Sequence, residues 1–223
     1  DYLGGEMFLN FIRNNPNDRL SLLFKSRCIL IFTGFPFMVN QLSVFDKPVI
    51  YIPQIINPNI PRINSRKIYD VWMINTSPFH KHLSDALIDN GISVLALTQN
   101  GEYCEGIPYI ECKGSGLNLD FLIASVSLCK YYIGSYPVLE DQDSMMIRKY
   151  STWNHTSKVL ESYYANTYWL SSNKNFNQCV YAIKNNLHKN QKNFNEYVES
   201  NFSLSKYKSQ LLTAVDICRK SIR

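Results

Sequence analysis

The densest group of chemistry-bearing side chains lies in IRKYSTWNHTSKVLE, residues 147–161. Arg148, Lys149 and Lys158 supply positive charge, Thr156 and Ser157 supply hydroxyls, and Glu161 follows Lys158 by three positions. The stretch ends in a short helical pattern whose inner face is Val159, Leu160, Tyr163 and Tyr164. A helix N-terminus offers free N–H groups and the positive end of the helix dipole, so cations and hydroxyls gathered there suit a diphosphate. A carboxylate one turn further in can accept both hydroxyl hydrogens of a ribose. Two structural readings compete with that chemistry. Glu161 can complement the dipole, or it can pair with Lys158 for roughly a few tenths of a kcal/mol. It does not close a capping box, because the residue three positions before it is Lys158 rather than Ser or Thr.

A second candidate is NTSPFHKH, residues 75–82, where a strand gives way to a helix with His80 and Lys81 in its first turns. Backbone N–H groups there would suit a phosphate, and the same residues would cap a helix in any α/β protein. The Asp141-Gln142-Asp143 triplet has the hard oxygen ligands of a divalent-metal site, with a solvated acidic loop as the alternative. The four histidines, at 80, 82, 155 and 188, show no zinc-ligand spacing. No P-loop, GxGxxG or GxSxG is present. The abundant aromatic residues fall mostly on apolar faces, which reads as core and argues against nucleic-acid binding.

These residues need elements to position them. Apolar runs predict strands at 28–36 and 47–54 around a short helix at 37–45. The proline-rich INPNIPRINSRK, residues 56–67, reads as a linker. Beyond it, strands at 69–75, 92–98, 106–112, 131–135 and 167–172 alternate with helical patterns. Ser77-Pro78 reads as an N-cap with proline at the first helical position, and Asn90-Gly91 as that helix's left-handed end. A helix over 118–130 and further helices from 176 onward complete the pattern. This alternation predicts an α/β fold, a Rossmann-like doubly wound parallel sheet that binds ligands beyond the carboxyl ends of its strands.

At 223 residues, 45% hydrophobic and 18% charged, the chain reads as globular, with room for one full domain and part of another. No apolar run approaches the ~20 residues of a membrane span, and residues 1–25 carry charge throughout, unlike a signal peptide. The sequence opens at Asp1, which suggests a fragment or a trimmed chain. Six cysteines without CxxC spacing read as thiols in a reducing compartment, hence a cytoplasmic location. The net charge of +5 is uneven. Residues 173–223 hold nine Lys or Arg against three acids, a basic tail suited to peripheral contact with the inner face of a membrane or to a solvated surface.

SKVLESYYANTYWLSS, residues 157–172, resembles the carboxyl-terminal, donor-binding domain of GT-B glycosyltransferases of the group 1 type. Ser157, Lys158 and Glu161 match the start of that family's donor-site helix. Asn166 takes the place of a turn glycine, which asparagine can fill because it tolerates the left-handed conformation. More diffusely, the likeness spans about residues 47 to 218. It implies a partial amino-terminal Rossmann-like portion over 1–56, a nucleotide-sugar donor-binding domain over 57–205 and a closing helix over 206–223. It also implies transfer to a glycan or lipid-linked acceptor, as in polysaccharide biosynthesis, with no cofactor and no required metal. Glu161 would bind the donor ribose. Lys158, with Arg148 or Lys81, would face the diphosphate, and Ser157, Thr156 and His80 would lie beside it. Two departures stand out: Trp153 replaces the second acid that many retaining members carry eight positions before the ribose glutamate, and residues 1–56 are too few for a whole first domain. The alternative is a non-catalytic nucleotide-sugar binding or protein-interaction domain of Rossmann shape.

Overall fold

The computed structural model describes residues 10–34, 39, 42–43, 47–112, 118–133, 155–170 and 176–221. The chain divides into two compact units, residues 57–199 and residues 1–56 together with 200–223.

The smaller unit contains helix α1 (Arg19–Arg27) and two short parallel strands, β1 (Ile31–Thr33) and β2 (Val49–Tyr51). Ile31 and Ile50 are buried in it. Helix α7 (Leu204–Ser221) turns Tyr207 and Ala214 inward, and the Tyr207 ring meets Tyr51 edge-on at 6.2 Å.

The larger unit is a three-layer α/β sandwich around five parallel strands: β3 (Tyr69–Ile74), β4 (Val94–Thr98), β5 (Tyr109–Glu111), β6 (Cys129–Ile133) and β7 (Tyr168–Leu170). Its helices are α2 (Pro78–Asp89), α3 (Leu119–Ser127), α4 (His155–Tyr164), α5 (Phe176–Lys184) and the first part of α6 (Gln191–Phe202), preceded by a 3-10 turn at Leu187–Asn190. A parallel sheet covered on both faces needs strands that are apolar throughout, and all five residues of β4 are buried. Side-chain alternation divides the core. Val71, Met73, Tyr131 and Ile133 pack with Leu83 and Leu87 of α2 and with Cys179, Ala182 and Ile183 of α5. Trp72 and Tyr132 belong to the other face, where they bond to α3 and α4.

The strand order is β5-β4-β3-β6-β7. From β3 the chain adds β4 and β5 on one side, then returns to place β6 and β7 on the other. The order therefore reverses between β3 and β6, which pair in register Trp72↔Tyr132 and Met73↔Ile133. This is a Rossmann-like arrangement, and open sheets of this kind take their ligands at such a reversal, beyond the carboxyl ends of the strands.

The caps follow sequence. Ser77 is the N-cap of α2, its Oγ accepting the His80 N–H at 3.3 Å, with Pro78 in the first turn. Gly91 at φ +73° ends the same helix. Asn166 sits at φ +47°, the left-handed geometry its place in the turn before β7 requires. One boundary differs. The helix expected over 118–130 stops at Ser127, and Cys129 and Lys130 open β6 instead. Ser127 Oγ bonds back to the Ala124 carbonyl at 2.7 Å, and Thr167 Oγ1 donates to the Val126 carbonyl at 3.0 Å, so side chains close the helix early.

Candidate functional site

Helix α4 follows β6 and begins at His155, so Glu161 is its seventh residue and lies beyond the first turn. At that depth the dipole contributes little, and the carboxylate answers to its neighbours. Glu161 is buried, at 9% exposure. The Tyr132 hydroxyl donates to Glu161 Oε2 at 2.6 Å, and Lys158 Nζ donates to Oε2 at 3.2 Å and to Oε1 at 3.3 Å. Lys158 Nζ also stands 5.8 Å from the centre of the Tyr132 ring. Tyr132 is braced in turn: its ring meets Trp72 edge-on at 4.8 Å, and Trp72 Nε1 donates to Ser125 Oγ of α3 at 3.1 Å. A chain of contacts therefore runs from α3 through β3 and β6 to the carboxylate on α4.

The other candidates stand on the opposite layer, at the start of α2 after β3. His80 Nδ1 accepts the Thr76 N–H at 3.1 Å, which leaves the proton of the neutral ring on Nε2. Burial lowers the His80 pKa from 6.5 to about 4, so at neutral pH the ring offers a dipole and no charge. Lys81 Nζ donates to both oxygens of Asp85, at 3.1 and 3.0 Å, an i,i+4 pair near the surface. Beside them Asn75, wholly buried at the end of β3, donates to the Tyr103 carbonyl at 2.7 Å and to Ser84 Oγ at 3.2 Å. Those bonds tie the carboxyl end of β3 to α2 and to the turn after β4.

Of the residues singled out in sequence, Lys158 and Glu161 are brought into contact, and His80 and Lys81 lie across the sheet from them. Thr156 and Ser157 fall in the first turn of α4, with side chains outside the described residues. Arg148, Lys149 and Trp153 lie outside the described residues, as do Asp141 and Asp143. Among the described residues, no group of three or more His, Cys, Asp or Glu is placed to hold a metal ion. Sequence reading missed Tyr132, Trp72 and Ser125, which sit in apolar runs and read as core. Period-two alternation puts Trp72 and Tyr132 on one face of their strands, but only the β3–β6 pairing makes them neighbours.

No family model matches this chain, and no curated protein matches it. Among the described residues, no helix is long and apolar enough to cross a membrane.

Proposed function

We propose that the larger unit binds the nucleotide of a nucleotide-sugar, and that the chain is a GT-B type glycosyltransferase or its donor-binding half, acting on a glycan or lipid-linked acceptor. One observation carries this reading: the Lys158–Glu161 pair stands on the helix that follows β6, at the reversal of strand order where open parallel sheets take their ligands. Glu161 would accept ribose hydroxyls. Lys158 would exchange its contact with Glu161 for the diphosphate, with the first turn of α4 and its Ser157 and Thr156 alongside. His80, neutral at physiological pH, would donate from Nε2, and Lys81 would turn from Asp85 to the anion. Arg148 completes the set of cations by sequence proximity. No metal is required.

The test is saturation-transfer NMR on the full chain with UDP-, GDP- and ADP-linked sugars, repeated with Glu161→Gln and Lys158→Met. Transfer to the ribose protons of one donor, weakened in both variants, is the expected result. Equal signals in wild type and both variants would remove these residues from any donor site.

A second reading has its own observation. Both carboxylate oxygens of Glu161 already have partners inside the protein, as in a purely structural ion pair. A Rossmann-shaped interaction domain would need nothing more. In that case Glu161→Gln lowers the melting temperature and changes the binding of no nucleotide.

A further inference from the structure

Tyr132 is a neutral group that bonds directly to the Glu161 carboxylate, and it does so asymmetrically. Its hydroxyl reaches Oε2 at 2.6 Å, a short charge-assisted bond, while Lys158 Nζ bonds Oε2 at 3.2 Å and Oε1 at 3.3 Å. A carboxylate on a glutamate side chain can swing about its last torsions. One held at a single oxygen from a β-strand cannot swing freely. The strand end of that tether is rigid, because the Tyr132 ring is fully buried and set edge-on against Trp72, itself bonded to Ser125.

Resting on the donor-site reading above, we propose that Tyr132 is the positioning residue of the site: by fixing Oε2 it presents Oε1 to the ribose diol, and so makes the site selective for ribonucleotides over deoxyribonucleotides. Lys158 cannot do this alone. Its bonds to the two oxygens are nearly equal in length and lie on the same helix as Glu161, so they constrain the carboxylate weakly, and the diphosphate competes for the same ammonium. The Tyr132 bond comes from the sheet, is not contested by an anion, and persists when Lys158 changes partner. A site that hydrogen-bonds a substrate hydroxyl rejects the analogue lacking it strongly, because its own buried polar atom is left unpaired.

The experiment measures dissociation constants of the full chain for UDP, GDP and ADP and for their 2′-deoxy counterparts, in wild type, Tyr132→Phe and Glu161→Gln. Phenylalanine keeps the ring against Trp72 and removes only the tether. Wild type should prefer the ribose form of its nucleotide by about 10-fold or more, the scale of one hydrogen bond to a charged group. In Tyr132→Phe that preference should fall to about 2-fold, with diphosphate-dependent binding retained. A merely structural tyrosine would shift both affinities together and leave the ratio unchanged, which overturns the proposal. Glu161→Gln covers the case in which Tyr132→Phe fails to fold: survival of the ribose preference in that variant is equally contradictory. If wild type binds none of the three ribonucleotides, the donor-site reading itself fails and takes this inference with it. Binding with an unaltered ratio sinks only the role of Tyr132.

Discussion

At the scale of residues, the chemistry of this protein is governed by which charges are already answered. Lys158 and Glu161 were legible as a pair because three positions on a helix bring side chains together. Their burial and their third partner were not legible, since Tyr132 lies 29 positions away and reaches Glu161 only through the sheet. Breaking such a group has a cost that an exposed ion pair lacks. Tyr132→Phe leaves a buried carboxylate with one donor fewer and is expected to destabilise the protein by about 1.5–3 kcal/mol, read from urea unfolding; no change in the unfolding midpoint would show that the bond contributes nothing. His80 gives a pH signature. Its folded pKa lies at about 4 against 6.5 for the free residue, because the ring is desolvated. The unfolded chain therefore takes up a proton below pH 6.5 that the folded chain refuses until about pH 4, and stability falls with pH across that window. His80→Gln should flatten the slope of unfolding free energy between pH 6.5 and 4. An unchanged slope would assign the acid sensitivity to other groups.

At the scale of elements, the caps were readable and the helix ends were less so. Ser77-Pro78 announces the start of α2 because proline fits the first turn and serine accepts the orphan N–H of His80. Ser77→Ala should cost about 1 kcal/mol and Ser77→Asp close to nothing, measured as melting-temperature shifts. Equal losses in both would mean that the cap bond is not what starts the helix. The end of α3 was misplaced in sequence because Leu122, Ile123, Val126 and Cys129 keep helical spacing past Ser127. Beside the local bond of Ser127, tertiary contacts end it. Lys67 Nζ donates to the Ser127 carbonyl at 2.9 Å, to the Ala165 carbonyl at 3.4 Å and to Thr167 Oγ1 at 3.0 Å, closing the carboxyl ends of α3 and α4 at once. Burial lowers the pKa of this lysine to about 8. Lys67→Met should destabilise by about 1–3 kcal/mol through orphaned acceptors, and a neutral result would show that water replaces the ammonium without loss.

At the scale of the whole molecule, the alternation of strands and helices foretold the parallel sheet, but not its order. Nothing in a single sequence says that β6 returns to pair with β3 rather than continuing outward past β5, and the candidate site depends on that return. Residues 56–67 illustrate the same limit. Two prolines and alternating polar residues read as a free linker, yet the Tyr164 hydroxyl accepts the Asn57 N–H at 2.6 Å, and Arg62 donates to Asn166 Oδ1 at 2.9 Å over the ring of Tyr163. Composition described the backbone preference of this segment, while its partners come from the far end of α4. If the larger unit is a donor-binding domain, a nucleotide binds beyond the carboxyl ends of β3 and β6, through Glu161. Calorimetric titration of the full chain with UDP, GDP, ADP and CMP, beside Glu161→Gln with its folding checked by circular dichroism, tests this most directly. Binding of one nucleotide is expected, with a dissociation constant on the order of micromolar, about −8 kcal/mol, weakened at least about tenfold in the variant. Heat from none of the four, or equal affinity in wild type and a folded Glu161→Gln, would contradict it.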